Sequence, residues 1–403
     1  MTEALVDELL AKLNRAEKLA QLQITFAMTA DGCADLARAG IGALFWPMSA
    51  AATNAVQRVA VEESPHGIPL LIGLDVIHGQ RTIFPIPLAQ ACSFDPGVAE
   101  SDGRVSAAEA ASGGVNWTFA PMVDVSRDAR WGRVCEGFGE DALLSGLFGA
   151  AKVRGLQGLA LSDTGSIAAC AKHFVGYGAA EGGRDYNSVD VSERRLRETY
   201  LRPFKHVVDA GVATVMASFN TINGLPVHAS RRLLTEVLKD EWGFGGVVVG
   251  DADGVRNLVP HGVAADPAHA RRLAFGAGLD IEMGIGTDLG SLAAELDSDA
   301  LAEDRLDDAV RRVLLLKYAL GLFKNPYVDE SAELLAPTVE HLAAARLAGE
   351  RSAVLLKNDG TLPLPAAPTK VLVTGPYADS TDHLGAWVQH FGTPAGNLVD
   401  ALR

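Results

Sequence analysis

Cysteine, basic charge and long apolar runs are all scarce in this chain. Its 403 residues hold four cysteines, Cys33, Cys92, Cys135 and Cys170. They are scattered, with no CxxC pair and no Cys/His ligand spacing, so they read as free thiols rather than as a disulfide framework or a metal site. Lysine and arginine together number 35 against 50 aspartates and glutamates, a formal net charge of −15. Nucleic acid and anionic membranes both select basic surfaces, so neither is expected as a partner. No stretch is apolar over the ~18 residues that a membrane-spanning helix needs. The N-terminus lacks the basic start and apolar run of a secretory leader. Val6, Leu9, Leu10 and Leu13 recur there at helical spacing, with Asp7, Glu8, Lys12 and Arg15 between them. The expected location is cytoplasmic, or periplasmic or secreted if a leader was removed. Also missing are GxGxxG, a phosphate-binding loop, a GxSxG elbow and a zinc signature. Those absences argue against dinucleotide, nucleotide, serine-hydrolase and zinc-hydrolase chemistry, and no metal or cofactor is expected.

What is present is an ordinary globular mix, 48% hydrophobic and 21% charged, long enough for one large domain and part of another. Short apolar runs alternate with longer helical stretches. The runs are Leu22–Thr25, Ile41–Trp46, Ile68–Asp75, Val115–Val125, Ile167–Phe174, Thr214–Asn220, Gly246–Asp251 and Leu279–Met283. Most are dense in Val, Ile, Leu and Ala, as strands are when a parallel sheet buries both their faces. Helical segments such as Ser192–Ala210 and Arg231–Glu241 lie between the later runs. This pattern predicts an α/β fold, a (β/α)₈ TIM-type barrel over residues 1–325. A helix from Asp304 to Leu320 closes it, with Lys317 in the last turn suited to the helix dipole and Gly321 as the stop. A linker follows over 326–338. Residues 339–403, with a helix over His341–Leu356 and a strand over Lys370–Thr374, read as the start of a second α/β domain that is cut short.

In a parallel barrel the chemistry sits past the C-terminal ends of the strands. Asp251 follows Val247-Val248-Val249-Gly250 and reads either as a nucleophile or general base, or as a cap of the next helix. The stretch Asp251-Ala252-Asp253-Gly254 lacks the remaining ligands of a calcium loop. Asp75 ends Leu70–Leu74 and could accept two sugar hydroxyls, or be satisfied by loop backbone. Lys172 and His173 close Ile167–Ala171 as two adjacent donors, suited to a polyol or to bracing the rim. Among Arg127, Arg130 and Arg133, spacing does not say which reaches a pocket. Glu181, Arg184 and Asp185, in the glycine-rich loop after Phe174, are similarly open. A carboxylate-rich barrel mouth without other signatures is the setting in which glycosidases work.

Several long segments, in order, resemble glycoside hydrolase family 3, in particular its bacterial β-glucosidase type. They are GLDVIHGQRTIFPIPLAQACSFDP, FAPMVDVSRDARWGRVCEGFGED, KHFVGYGAAEGGRDYNSVDVSERRLRETYLRPF and LLTEVLKDEWGFGGVVVGDADGV, followed by RRVLLLKYALGLFKNPY and ERSAVLLKNDGTLPLP. The resemblance implies a retaining, exo-acting hydrolase of terminal β-D-glucosyl residues. Its substrates would be β-linked oligosaccharides or aryl and alkyl glucosides, and no cofactor is implied. It implies Asp251 as catalytic nucleophile, and Asp75, Arg133, Lys172, His173 and Arg184 as the residues that hold the sugar. Nearby Lys172 and arginine charge would then favour the ionised Asp251. Three features depart from the pattern. Ala252 stands where an aromatic residue often follows the nucleophile, and Phe219 where a tyrosine is common. The acid/base glutamate of two-domain members is expected beyond Arg403. The alternatives are a β-xylosidase, a β-N-acetylhexosaminidase or a non-catalytic sugar-binding remnant. The loop 178–186 holds no histidine, which disfavours the hexosaminidase.

Overall fold

Strands that are apolar on both faces need neighbours on both edges and cover on both sides, and a closed barrel supplies all of these. The computed structural model describes residues 2–26, 29–45, 49–284, 303–365, 370–388 and 396–402. Its barrel strands are β1 (Gln23–Phe26), β2 (Ala43–Phe45), β3 (Leu71–Leu74), β4 (Trp117–Thr118), β5 (Cys170–Phe174), β6 (Thr214–Ala217), β7 (Val247–Val249) and β8 (Glu282–Gly284). They form a five-stranded sheet in the order β8-β1-β2-β3-β4 and a three-stranded sheet in the order β7-β6-β5, parallel throughout. Isolated parallel bridges join the sheets at both seams. Trp117 meets Ala168 and Met122 meets Lys172 between β4 and β5, and Val249 meets Ile281 between β7 and β8. Every strand thus has a parallel neighbour on each side, the ring of a (β/α)₈ barrel.

Alternate residues of the strands enter two buried clusters, as the period of two requires. Leu70, Ile72, Leu74, Val215 and Val248 share one with the helix residues Val153, Phe204 and Val237. Leu71, Trp117, Cys170, Met216 and Val247 belong to the other. There the Trp117 indole donates to Thr214 Oγ1 at 2.9 Å. The amphipathic helix Thr2–Lys12 buries Val6 and Leu10, and Leu13 just beyond it, in this second cluster with Leu306, Val310 and Leu314 of helix Glu303–Ala319.

Each expected run overlaps a strand, and most of the strands are shorter than their runs. Only Trp117–Thr118 of Val115–Val125 is continuous strand. Pro121 has no N–H to give to a ladder, and pairing resumes at Met122. Trp46, at the end of the expected second run, lies outside the described residues. Three short strands, Ser188–Val189, Thr221–Ile222 and Leu225–Pro226, form a small separate sheet that was not anticipated. Asn223 and Gly224 turn its antiparallel pair with φ of 51° and 86°. Asn-Gly is the usual signature of such a turn, so this hairpin was readable.

One expectation is refined and one corrected. Lys317 lies in the last turn of helix Glu303–Ala319, as expected, but its side chain is withdrawn from solvent. It is buried against Gln21 Oε1 at 2.7 Å, and burial pushes its ammonium down to about 7. Lys370–Thr374 forms no strand; Val371 and Leu372 are exposed and pair with no neighbouring strand among the described residues, and a lone run has no ladder to join. The preceding helix is Val339–Ser352, capped by Thr338, whose hydroxyl accepts from the His341 amide. It lies on the barrel through Ala344, Ala345 and Ala348 against Phe84, Val98 and Val105. No described helix is long and apolar enough to cross a membrane.

The close approach of β1 and β2 gives a test of the packing. A Cβ on Gly42 would lie 1.9 Å from the backbone oxygen of Gln21. Gly42→Ala is expected to lower unfolding stability by roughly 2–3 kcal/mol, the upper range for overpacking a core. Denaturant titration measures it, and an unchanged midpoint would contradict the packing described.

Candidate active site

The C-terminal ends of β3, β4, β5 and β7 converge at one mouth of the barrel, and each delivers a polar side chain. Asp75 directly follows β3, Asp124 follows β4, Lys172 and His173 are within β5, and Asp251 stands two residues past β7. Lys172 is 2% exposed and Asp75 8%. The Lys172 ammonium donates to Asp75 Oδ1 at 2.7 Å. His173 is fully buried. Its backbone amide and its Nδ1 both meet Asp124 Oδ2, at 2.8 and 2.9 Å. A carboxylate there accepts the Nδ1 proton and leaves Nε2 as a lone pair aimed away from Asp124.

That Nε2 stands 3.5 Å from Asp251 Oδ2. Both atoms are buried and neither makes a hydrogen bond among the described residues. Asp251 is otherwise held. Its Oδ1 accepts from the Ala252 amide at 2.7 Å, and its own amide donates to His228 Nε2 at 3.2 Å. The alternative reading of Asp251 as a helix cap is not what is found, since the described helix Arg256–Leu258 has no side-chain cap. The side chain as a whole is 13% exposed, while Oδ2 itself is buried. Two acceptor atoms facing the same space suit a ligand that brings hydroxyl donors.

Arg133 is the arginine of its loop that reaches the site. Its guanidinium makes a two-pronged pair with Glu136, at 2.6 and 2.9 Å, and lies 5.6 Å from the Tyr177 ring centre. Arg130 instead pairs at the surface with Asp128. Arg184, expected with the sugar-holding residues, is exposed and contacts none of them among the described residues. Its loop turns through Gly182 and Gly183, both at positive φ, and is anchored by Asp185, which accepts from Trp131 Nε1 at 2.8 Å. That anchor leaves the neighbouring Arg184 facing outward.

Burial dominates the electrostatics. It raises the Asp251 carboxyl to about 6, although Lys172, Arg133 and the Ala252 amide all pull the other way. The expected help from positive charge is present but smaller than the desolvation it opposes. Burial likewise raises Asp124 to about 7, against the His173 amide and Arg133. His173 is driven well below its ordinary value, by burial first and then by Arg133 and Lys172, and so stays neutral. Burial would raise Glu136, but the Arg133 fork and Lys172 bring it below the ordinary range. Among the described residues, no group of three or more His, Cys, Asp and Glu could hold a metal ion.

Three contributors were not singled out from the sequence. Asp124 carried a faint signal, a carboxylate inside the apolar run Val115–Val125. His228 carried none beyond its place after an Asn-Gly turn. Trp387 lies in the 370–388 segment, 44% exposed, with its ring 5.3 Å from Lys172 Nζ and 5.9 Å from the Arg133 guanidinium. The preceding carbonyl, of Ala386, is 3.0 Å from His78 Nε2, which tethers that segment to the loop after β3.

Carboxylates, a lysine and a neutral histidine thus gather at the strand C-termini of a parallel α/β barrel. Residues 15–316 match the sequence model of the Glycosyl hydrolase family 3 N terminal domain. The chain belongs to glycoside hydrolase family 3. A Salmonella typhimurium protein named periplasmic β-glucosidase is 41% identical over 401 residues, covering 96% of this chain and 52% of the relative. A β-xylosidase of Formosa agariphila is 36% identical over 331 residues, covering 78% of this chain and 45% of its own length. The crystal structure of a Listeria innocua β-glucosidase has a TM-score of 0.89 at 38% identity, covering 95% of this chain and 56% of that one. The chain thus spans about half the length of these relatives.

Proposed function

We propose that this chain carries the sugar-binding and nucleophilic half of a retaining, exo-acting β-glucosidase. It would act on terminal β-D-glucosyl residues of β-linked oligosaccharides or of aryl and alkyl glucosides. The observation that carries the reading is the buried, unbonded Oδ2 of Asp251 facing His173 Nε2 at 3.5 Å. Asp251 Oδ2 attacks the anomeric carbon as the bond to the departing oxygen breaks, and that oxygen leaves as an anion that takes a proton from water. A second water then attacks the same carbon, gives its proton to solvent, releases the carboxylate and restores the original configuration. Asp75, Lys172, His173 and Arg133 hold the hydroxyls of the sugar. The Trp387 ring offers an apolar face beside them. The glucose and laminaribiose complexes of the Listeria enzyme and its mutant support a glucoside as substrate.

Proton NMR during turnover of a 2,4-dinitrophenyl β-glucoside tests the mechanism. Such a leaving group needs little protonation. β-Glucose is expected first; α-glucose first would mean inversion and would remove the covalent step. Activity on the matching β-xyloside above that on the glucoside would favour the xylosidase reading, which the Formosa relative supports. The Salmonella relative is named periplasmic, and fractionation of the source cells would separate a periplasmic from a cytoplasmic location for this protein.

The carboxyl at about 6 sets a pH dependence. The nucleophile must be ionised, so the rate for an activated substrate should rise with pH through about 6 and then level. At pH 5 kcat/KM should stand about tenfold below the plateau. An acid limb centred near 4 would contradict the desolvated site.

A further inference from the structure

The loop that presents Asp251 is short and held from two directions. Gly250 donates its amide to the Ile281 carbonyl at 2.8 Å, and Asp253 donates to the Met283 carbonyl at 2.8 Å, so both are tied to backbone at β8. The amide of Asp251 itself goes elsewhere, to the side chain of His228 at 3.2 Å. His228 comes from a different part of the barrel mouth, the turn Val227–Ala229 after the small hairpin. Its ring is buried, and the loop is folded closely around it. A Cβ on Gly254 would lie 2.4 Å from the ring's Nε2 and Cε1, and one on Gly250 would lie 3.3 Å from Nε2. Glycine at these two positions lets the loop close on the imidazole.

We infer that His228 is a positioning residue for the reaction, fixing the nucleophile by accepting the backbone amide of Asp251. The inference rests on the reading of Asp251 as nucleophile. With its amide held, and with Oδ1 taken by the Ala252 amide at 2.7 Å, the carboxylate keeps Oδ2 turned toward His173 Nε2 at 3.5 Å, where the proposed sugar site lies. Without an acceptor at position 228 the amide would be a buried donor with no partner. The backbone would turn to satisfy it, and the carboxylate would swing with the backbone. A catalytic group displaced by a fraction of an ångström loses rate more than it loses ground-state binding. The role needs a lone pair on Nε2, and so a neutral ring. Burial pushes the imidazole down to about 4, with His261 acting in the same direction and the Ser218 backbone opposing. His228 therefore remains an acceptor wherever Asp251 is ionised.

The test is inactivation of the full 403-residue chain by 2,4-dinitrophenyl 2-deoxy-2-fluoro-β-glucoside, which separates binding from the attack step. His228→Leu removes the acceptor, and His228→Gln returns one at a similar reach. The attack rate of H228L is expected to fall roughly 10- to 100-fold with binding changed less than about threefold. H228Q should recover most of the loss. If H228L does not fold, Gly254→Ala, which pushes the ring aside without removing it, carries the same expectation. A merely structural role would lower thermal stability and leave the attack rate of the folded fraction unchanged, and that result overturns the inference. So does an H228Q as slow as H228L. The site of the label keeps the two claims apart. A label in the parent on a residue other than Asp251, or no label, overturns the nucleophile assignment and the His228 inference with it. A label on Asp251 with an unimpaired H228L overturns the His228 inference alone.

Discussion

Asp251→Asn is expected to lower turnover of an activated aryl glucoside by about 10⁴-fold or more while leaving the chain folded, because the substitution removes the proposed attacking oxygen and little else. Stability should move the other way. The folded-state carboxyl titrates at about 6 against an ordinary 3.8, so the native state holds this proton more tightly than the unfolded chain does. Its favourable contribution is complete below the unfolded value and is lost as pH rises through about 6. At pH 7 the ionised group therefore costs the fold on the order of 2–3 kcal/mol, and a neutral asparagine relieves part of that. A dead but more stable variant at pH 7, with the advantage shrinking toward pH 4, is the expected pair of results. A variant that keeps a tenth of the parent's turnover would remove Asp251 from the mechanism.

Asp75→Ala should be costly in both respects. Lys172 is 2% exposed and Asp75 is its partner at 2.7 Å. Truncating the carboxylate strands a buried ammonium, for which a loss of about 3–5 kcal/mol is typical. The freed ammonium also sits close enough to Asp251 to act on its titration, so the proposed nucleophile would be disturbed as well. Asp75→Asn keeps an oxygen for Lys172 to donate to and should cost less stability, yet still weaken glucose binding by losing a charged acceptor. Chemical denaturation together with calorimetric titration of glucose reads both effects. An alanine variant that unfolds at the parent's midpoint and binds glucose equally would show that the pair is neither structural nor part of the sugar site.

The residues legible in the sequence share one property: they lie at or just past the C-terminal ends of strands. Asp75, Lys172, His173 and Asp251 each close a run of Val, Ile, Leu or Ala, and a parallel barrel places all such ends at one mouth. Runs of that composition also announced the eight barrel strands, though not their limits, because backbone pairing sets those and side-chain hydrophobicity does not. What was illegible depends on contacts between distant segments. Asp124 meets His173 across 49 positions and His228 meets Asp251 across 23, and neither spacing is a motif. Arg133 could not be told from Arg127 and Arg130, because only the fold shows which side of the loop faces the pocket. The outward placement of Arg184 was not legible, because an exposed loop follows its own anchors, here Asp185 on Trp131. Lys317 was legible as a last-turn lysine, but not the groove against Gln21 that takes its side chain out of solvent.

One measurement bears on the whole account: mass spectrometry of a proteolytic digest of the chain after reaction with the fluoroglucoside. A single adduct of the fluorosugar on the peptide spanning Val247–Gly254, fragmenting to the carboxylate at position 251, is the predicted result. An adduct on any other carboxylate, or an unmodified chain that nonetheless binds glucose, would contradict it.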